Sequence, residues 1–201
     1  YGSLRFTSGW KKADAQIAPK IPEPEKVWYQ DITGDIPDTK MVCELAPDGI
    51  KRLRLARSPN HQDSPDDLLK YWAAWTQKEN YDDVNKNLWL ADTNHLIHSD
   101  PEYYAGATVW SVEDATNMGA LWKQKIKEYD PLKHRIAVEN KNFGGVRCRY
   151  FIENIPSLLD TTSEFYYDNS IRRIFIRLDE DKDPNTTIIE IARTDKLLVI
   201  K

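Results

Sequence analysis

Four acid clusters come first among the residues that could do chemistry: Asp66-Asp67, Asp82-Asp83, Glu113-Asp114, and Asp179, Asp181 and Asp183 in one run. Two carboxyl groups held about 5–10 Å apart across a cleft are what glycoside hydrolysis requires: one protonates the leaving oxygen, the other is base or nucleophile. Each cluster here sits in a stretch that reads as a loop or a helix start, where acids serve as solvated turn residues. The sequence therefore assigns no catalytic residue. His95 and His98, with Asp92 and Asp100 nearby, make a tempting metal set. Residues three apart share a face on a helix or turn but not on a strand, so no metal is assigned to them. The run Asp179, Asp181, Asp183 has the spacing of a calcium loop but lacks the glycine and closing glutamate of an EF-hand. No cofactor is expected, and a structural calcium is left open. Neither a Gly-rich phosphate loop, nor a Gly-x-Ser-x-Gly turn, nor a Cys/His nucleophile pair is present.

The remaining chemistry belongs to the aromatic residues, seven Trp and ten Tyr. A pyranose stacks its CH face on a flat ring while its hydroxyls meet polar partners at the ring's edge. Trp28 and Trp110 lie in strand-like runs, and Trp72 and Trp75 fall at helical spacing, so these four read as core. Trp89 and Trp122 flank polar loops, and Tyr103-Tyr104 follows Asp100-Pro101 and precedes Gly106. Trp89, Trp122, Tyr103 and Tyr104 are the candidate carbohydrate-binding rings.

The elements that must hold these groups are mostly strands. VWYQDI (27–32) ends at the turn Thr33-Gly34-Asp35, and MVCEL (41–45), Pro47-Asp48-Gly49 and IKRLRLAR (50–57) predict a hairpin. GATVWSV, IKEYD and HRIAVE follow, with the looser VEDATNMGALW after the first of them. RYFIEN, EFYYD, RRIFIRL and TTIIEIA complete the set, and the tail KLLVIK reads as a last apolar strand. One helix is expected near residues 65–77: Ser64-Pro65-Asp66-Asp67 supplies a cap, a first-turn proline and two acids, and Leu68, Trp72 and Trp75 supply a buried stripe. Pro19, Pro22 and Pro24 mark residues 1–26 as an extended segment before a single β-rich domain, 27–201. The fold class expected is mainly β, a sandwich or barrel-like domain with one substantial helix.

Composition narrows the function classes. The 201 residues carry 28 basic and 32 acidic side chains in mixed runs, a net charge of −4, so neither a nucleic-acid groove nor a polybasic membrane anchor is supported. No apolar run approaches the roughly 18 residues of a spanning helix. The first residues lack a signal-peptide core, and the natural start is expected to lie upstream of Tyr1. Cys43 and Cys148 lie in separate apolar runs. Two buried thiols is the simpler reading, and a disulfide between them stays open.

The order VWYQDI, LRLARSPN, YYAGATVW, YDPLKHRIAVE, YFIENIPSLLDTTSEFYYD, RRIFIRL resembles the N-terminal region of secreted bacterial right-handed β-helix proteins, among them glycoside hydrolases and polysaccharide-utilisation proteins. In that family a segment similar to Arg54–Asn60 introduces an inserted β-rich domain, and one similar to Tyr150–Asp168 returns the chain to the β-helix. The family's return motif carries Pro-Gly where this sequence has Thr162-Ser163. The resemblance spans about Val27 to Leu178. It implies a secreted or cell-surface parent acting on polysaccharide, with its catalytic carboxylates on later coils. For this chain it implies a non-catalytic accessory or carbohydrate-binding domain, partnered by oligo- or polysaccharide and by the remainder of a β-helix chain, with residues 150–201 as the return segment. Two other readings remain: a glycoside hydrolase or polysaccharide lyase fragment using paired carboxylates, and a purely structural or interaction domain.

Overall fold

A computed structural model describes residues 3–33, 41–63, 67–112 and 120–193. The helix start Ser64-Pro65-Asp66, the pair Glu113-Asp114, Gly34-Asp35 and the tail KLLVIK lie outside the described residues. Strands β1 (Ser3–Phe6), β2 (Lys11–Lys12), β3 (Trp28–Asp31), β4 (Val42–Ala46) and β5 (Gly49–Leu55) come first. Then follow β6 (Arg57–Ser58), β7 (Ala73–Ala74), β8 (Gln77–Lys78), β9 (Leu88–Ala91), β10 (Thr108–Val112), β11 (Leu121–Lys125), β12 (Glu128–Asp130), β13 (Arg135–Val138) and β14 (Arg149–Glu153). Strands β15 (Glu164–Asp168), β16 (Arg173–Arg177) and β17 (Ile188–Ala192) close the chain's described part.

These strands fall into two compact units, 1–56 with 156–201 and, inserted between them, 57–155, where the sequence reads residues 27–201 as one domain. The first unit is built on an eight-stranded sheet, β1-β17-β4-β5-β15-β16-β3-β2, whose pairs are antiparallel except β5 with β15. The expected hairpin is there as β4 and β5, with Ala46 opposite Gly49 across a two-residue turn. Gly49 sits at φ +138, a conformation that side chains rarely adopt, which is why glycine closes this turn. Alternation selects the core: Leu53 from β5, Phe165 and Tyr167 from β15, Ile174 and Ile176 from β16, and Ile189 and Ile191 from β17 pack together with Trp10 and Val42.

The inserted unit holds a five-stranded sheet, β11-β10-β14 with β6 and β7 both on β14, and a four-stranded sheet, β12-β13-β9-β8. The fold is mainly β, as expected, but the helix at 65–77 is not formed: the described residues contain only three-residue 3-10 turns. The backbone has better partners elsewhere. Ala73 and Ala74 pair with Tyr150 and Arg149, and three residues on Gln77 and Lys78 pair with Ala91 and Leu90, so the segment runs extended from one sheet to the other. Trp75 donates its N–H to the Cys148 carbonyl and accepts from Arg147. The supposed apolar stripe separates accordingly: Trp75 is 1% exposed, Trp72 half-buried, and Leu68 74% exposed. Trp75 lies flat on Tyr150, ring centroids 3.6 Å apart, and donates Nε1–H to Ser111 Oγ at 3.0 Å. Gly144, at φ +58, passes so close that an added Cβ would stand 3.0 Å from Trp75 Nε1. At the end of the looser stretch after β10 begins β11, a strand absent from the sequence reading. Both cysteines are free thiols, Cys43 half-buried in the first unit and Cys148 buried in the second.

Candidate functional site

Of the four rings singled out by the sequence, the structure brings two together. Tyr103 stacks on His98 at 3.4 Å and meets Tyr104 edge-on at 4.8 Å. Tyr104 is 2% exposed, turned inward against Tyr129, and its hydroxyl is pushed well above the ordinary phenol range by burial. Tyr104 and Tyr129, with Glu102 and Glu128, line a cavity of about 200 Å³. Trp89 is half-buried on β9, with the Arg135 guanidinium 4.2 Å from its ring. Trp122 is 44% exposed on β11, opposite Ser111.

The titratable clusters are spent on local structure. Asp92, fully buried, has Oδ2 at 2.9 Å from both the Tyr150 hydroxyl and His95 Nδ1, and Oδ1 accepts from the Asn94 N–H. Asp100 accepts from the Glu102 N–H, and Asp82 closes its own turn by accepting from Val84 and Asn85. Asp179, Asp181 and Asp183 turn to Ser163, Arg177 and Asn185 respectively. Among the described residues, no three His, Cys, Asp or Glu converge as metal ligands would.

A different constellation emerges on the five-stranded sheet. Strand alternation sends Val109, Ser111, Tyr150 and Ile152 to one face, all of them buried. Cα partners share a face, so the other collects two adjacent rows. The first row runs Lys123, Trp110, Phe151, and the second runs Lys125, Thr108, Glu153, Arg57. Trp72, just before β7, meets Phe151 edge-on at 4.6 Å, and Phe151 lies nearly parallel to Trp110 at 6.0 Å. The Arg57 guanidinium sits 3.8 Å from the Phe151 ring and 5.3 Å from Trp72, and Lys123 Nζ is 5.5 Å from Trp110. Such cation–ring contacts hold planar groups in place at modest energy. Arg149 braces Trp72 from its backbone, donating to the Trp72 carbonyl.

Glu153 gives this face its polar centre. Its Oε1 accepts the Trp110 Nε1–H at 2.6 Å, which fixes the indole's orientation. Burial raises its carboxyl above the ordinary glutamate value, outweighing the opposing effects of that hydrogen bond and of Arg57, Lys123 and Lys125. Trp110 and Trp72 stay half-buried while Phe151 between them is 8% exposed: two accessible rings on one closed one. The arrangement offers ring faces, an indole edge tied to a carboxylate, and flanking cations. It can stack on a flat apolar surface and hydrogen-bond its rim. Sequence reading assigned Trp110 to the core and Trp72 to a helix. The alternation in TVWSV and RYFIE was the available signal, since Trp110 and Glu153 fall out of phase with Val109 and Ile152.

No protein-family model matches the chain, and no curated protein matches it. Among solved structures, one named "Glycoside hydrolase" shares the fold with a TM-score of 0.65 at 15% identity. The match covers 98% of this chain and 32% of that protein, so the chain spans about a third of its length. At that identity the likeness is one of fold.

Proposed function

We propose that this chain is a non-catalytic carbohydrate-binding module of a larger glycan-active protein, with the Trp72–Phe151–Trp110 face as its platform. The carrying observation is the pair of half-buried indoles that keep exposed area on one sheet face, one of them oriented by Glu153. Rings held rigidly in this way lose little entropy on meeting a sugar face, and the neighbouring polar groups suit its hydroxyls. The likeness to a protein named a glycoside hydrolase supports a carbohydrate context, and coverage of 32% of that protein suits a module within a longer chain. The right-handed β-helix parent draws support from the unit boundaries. They fall after Ala56 and after Ile155, inside the two segments that flank the inserted domain in the family resembled. A secreted or cell-surface setting goes with that parent, and no helix among the described residues is long and apolar enough to cross a membrane.

The carboxylates argue for binding over turnover. A raised carboxyl such as Glu153 could serve as a general acid, but hydrolysis calls for a second one about 5–10 Å away. Glu153 is the sole acidic residue in the strands of that sheet. Titration of oligosaccharides against the chain, followed by Trp emission and calorimetry, tests the reading. Affinities of about 10 μM to 1 mM are expected, as for shallow stacking on one or two sugars. Trp110→Ala should weaken them about tenfold or more, while Tyr166→Ala in the first unit should leave them unchanged. Silence across neutral and acidic glycans alike would reduce the chain to a scaffold.

A further inference from the structure

We propose that the glycan taken by this face is acidic, bearing carboxylate or sulfate groups that meet the cations bordering the rings. This rests on the reading of the face as a glycan platform. The chain as a whole carries a net charge of −4, yet this face inverts the sign. Strand register directs Lys123 and Lys125 to it from β11, Arg149 from β14 and Arg57 from β6, and among the described strand residues Glu153 is the one acid set against them. Average composition does not produce that bias.

The cations also lie where a stacked chain would pass. Lys123 is the cross-strand neighbour of Trp110, and Lys125 follows two residues on, about 7 Å further along the same edge. A sugar lying on Trp110 would have two ammonium groups along its flank. Both side chains are exposed, and each ammonium carries three donors. Lys125 gives one to the Gly106 carbonyl at 3.0 Å, which holds it along the sheet edge and leaves the others. Glu153 cannot neutralise the group by itself, since it carries at most one negative charge, and its bond from the Trp110 N–H fixes it at the centre of the face. Beyond Phe151, Arg57 is buried, its guanidinium lying over the Phe151 ring and its Nε–H donated to the Pro59 carbonyl, so it adds positive charge beneath the platform while the two lysines make the contact. A neutral sugar would use the rings and gain nothing from the exposed ammonium groups of Lys123 and Lys125.

Three matched probes test this on the intact chain: a uronate oligosaccharide, its carboxyl-reduced neutral counterpart, and a sulfated form of the neutral one. Binding is read by Trp emission and calorimetry at low and at high salt. At least one acidic probe should bind about tenfold tighter than the neutral probe at low salt, and the advantage should shrink as salt screens it. Which acidic probe gains tells carboxylate from sulfate. The double variant Lys123→Gln, Lys125→Gln should bring the acidic-to-neutral affinity ratio towards one, with an unchanged melting temperature confirming that it folds. Equal affinity for acidic and neutral probes, indifferent to salt, would overturn the acidic assignment and leave the platform standing. No binding of any probe would overturn both.

Discussion

The first unit lines up Tyr29, Phe175 and Tyr166 across β3, β16 and β15, with centroid spacings of 6.1 and 6.2 Å and the Arg173 guanidinium 4.5 Å from Tyr29. The second sets Trp72, Phe151 and Trp110 side by side, with Arg57 and Lys123 over the rings. On paper the two rows use the same materials. They differ in closure and in charge. Tyr29 is 9% and Phe175 3% exposed with Tyr166 half-buried at the end, and Arg173 is tied to Asp31 at 2.6 Å, so two of the three rings are covered and the guanidinium is matched. In the second unit both indoles keep exposed area, and the cations outnumber the one carboxylate. A ring beside a cation is therefore no mark of recognition in itself. Exposure and unbalanced charge separate a row that holds a fold together from one that can hold something else.

Removing a ring from the closed row should have the largest effect on stability. Phe175→Ala should cost about 3–5 kcal/mol in a denaturant melt, as loss of a buried phenyl does, and leave glycan affinity per folded molecule as it was. A cost below 1 kcal/mol would erase the distinction between the rows. Next comes the carboxylate at the centre of the open row. Because Glu153 is raised in the folded state, the fold binds its proton more tightly than the unfolded chain does. Its contribution is fully present below the ordinary glutamate pKa and is lost as pH rises through the raised value. Glu153→Gln removes that dependence, so the variant should gain stability relative to the parent as pH climbs through this window. Paired melts between about pH 4 and pH 7 check the sign, and a parent that gains on the variant over that range would refute it. The smallest effect is expected at Leu68→Ala, where the side chain is 74% exposed: under about 0.5 kcal/mol.

How much of this was legible in the sequence depended on range. Runs such as RIFIR and TIIEIA alternate cleanly, and the Pro47-Asp48-Gly49 turn sits between two such runs, so these strands and the hairpin followed from local pattern. LLKYWAAW misled because Trp72 and Trp75 fit helical spacing as well as they fit an extended path between two sheets. The pairing that decides the matter joins Ala73 to Tyr150, far along the chain, and no local pattern encodes it. The open row hid for a related reason. Alternation in TVWSV puts Trp110 and Val109 on opposite faces but does not say which face is covered. Trp122 could be read as exposed from its neighbours, whereas Tyr104 could not be read as buried, because Tyr129, which it packs against, lies beyond two intervening strands.

One feature of the first sheet bears on how the chain folds and how it could have been assembled. Strands β5 and β15, on either side of the insertion, are direct neighbours, and the insertion pairs its own beginning with its own end through Arg57 and Glu153. Once folded, the insertion holds its own two ends side by side, which shortens the loop that β5 and β15 must close. A floppy loop of about a hundred residues would cost roughly 2 kcal/mol more to close than one of ten, at about 0.6 kcal/mol per doubling of length. Melting the insertion alone should therefore loosen the sheet through chain entropy, with none of that sheet's own contacts altered. The same closeness of ends makes residues 57–155 a cassette: recombination could exchange its exposed surface for another while the host sheet keeps its register.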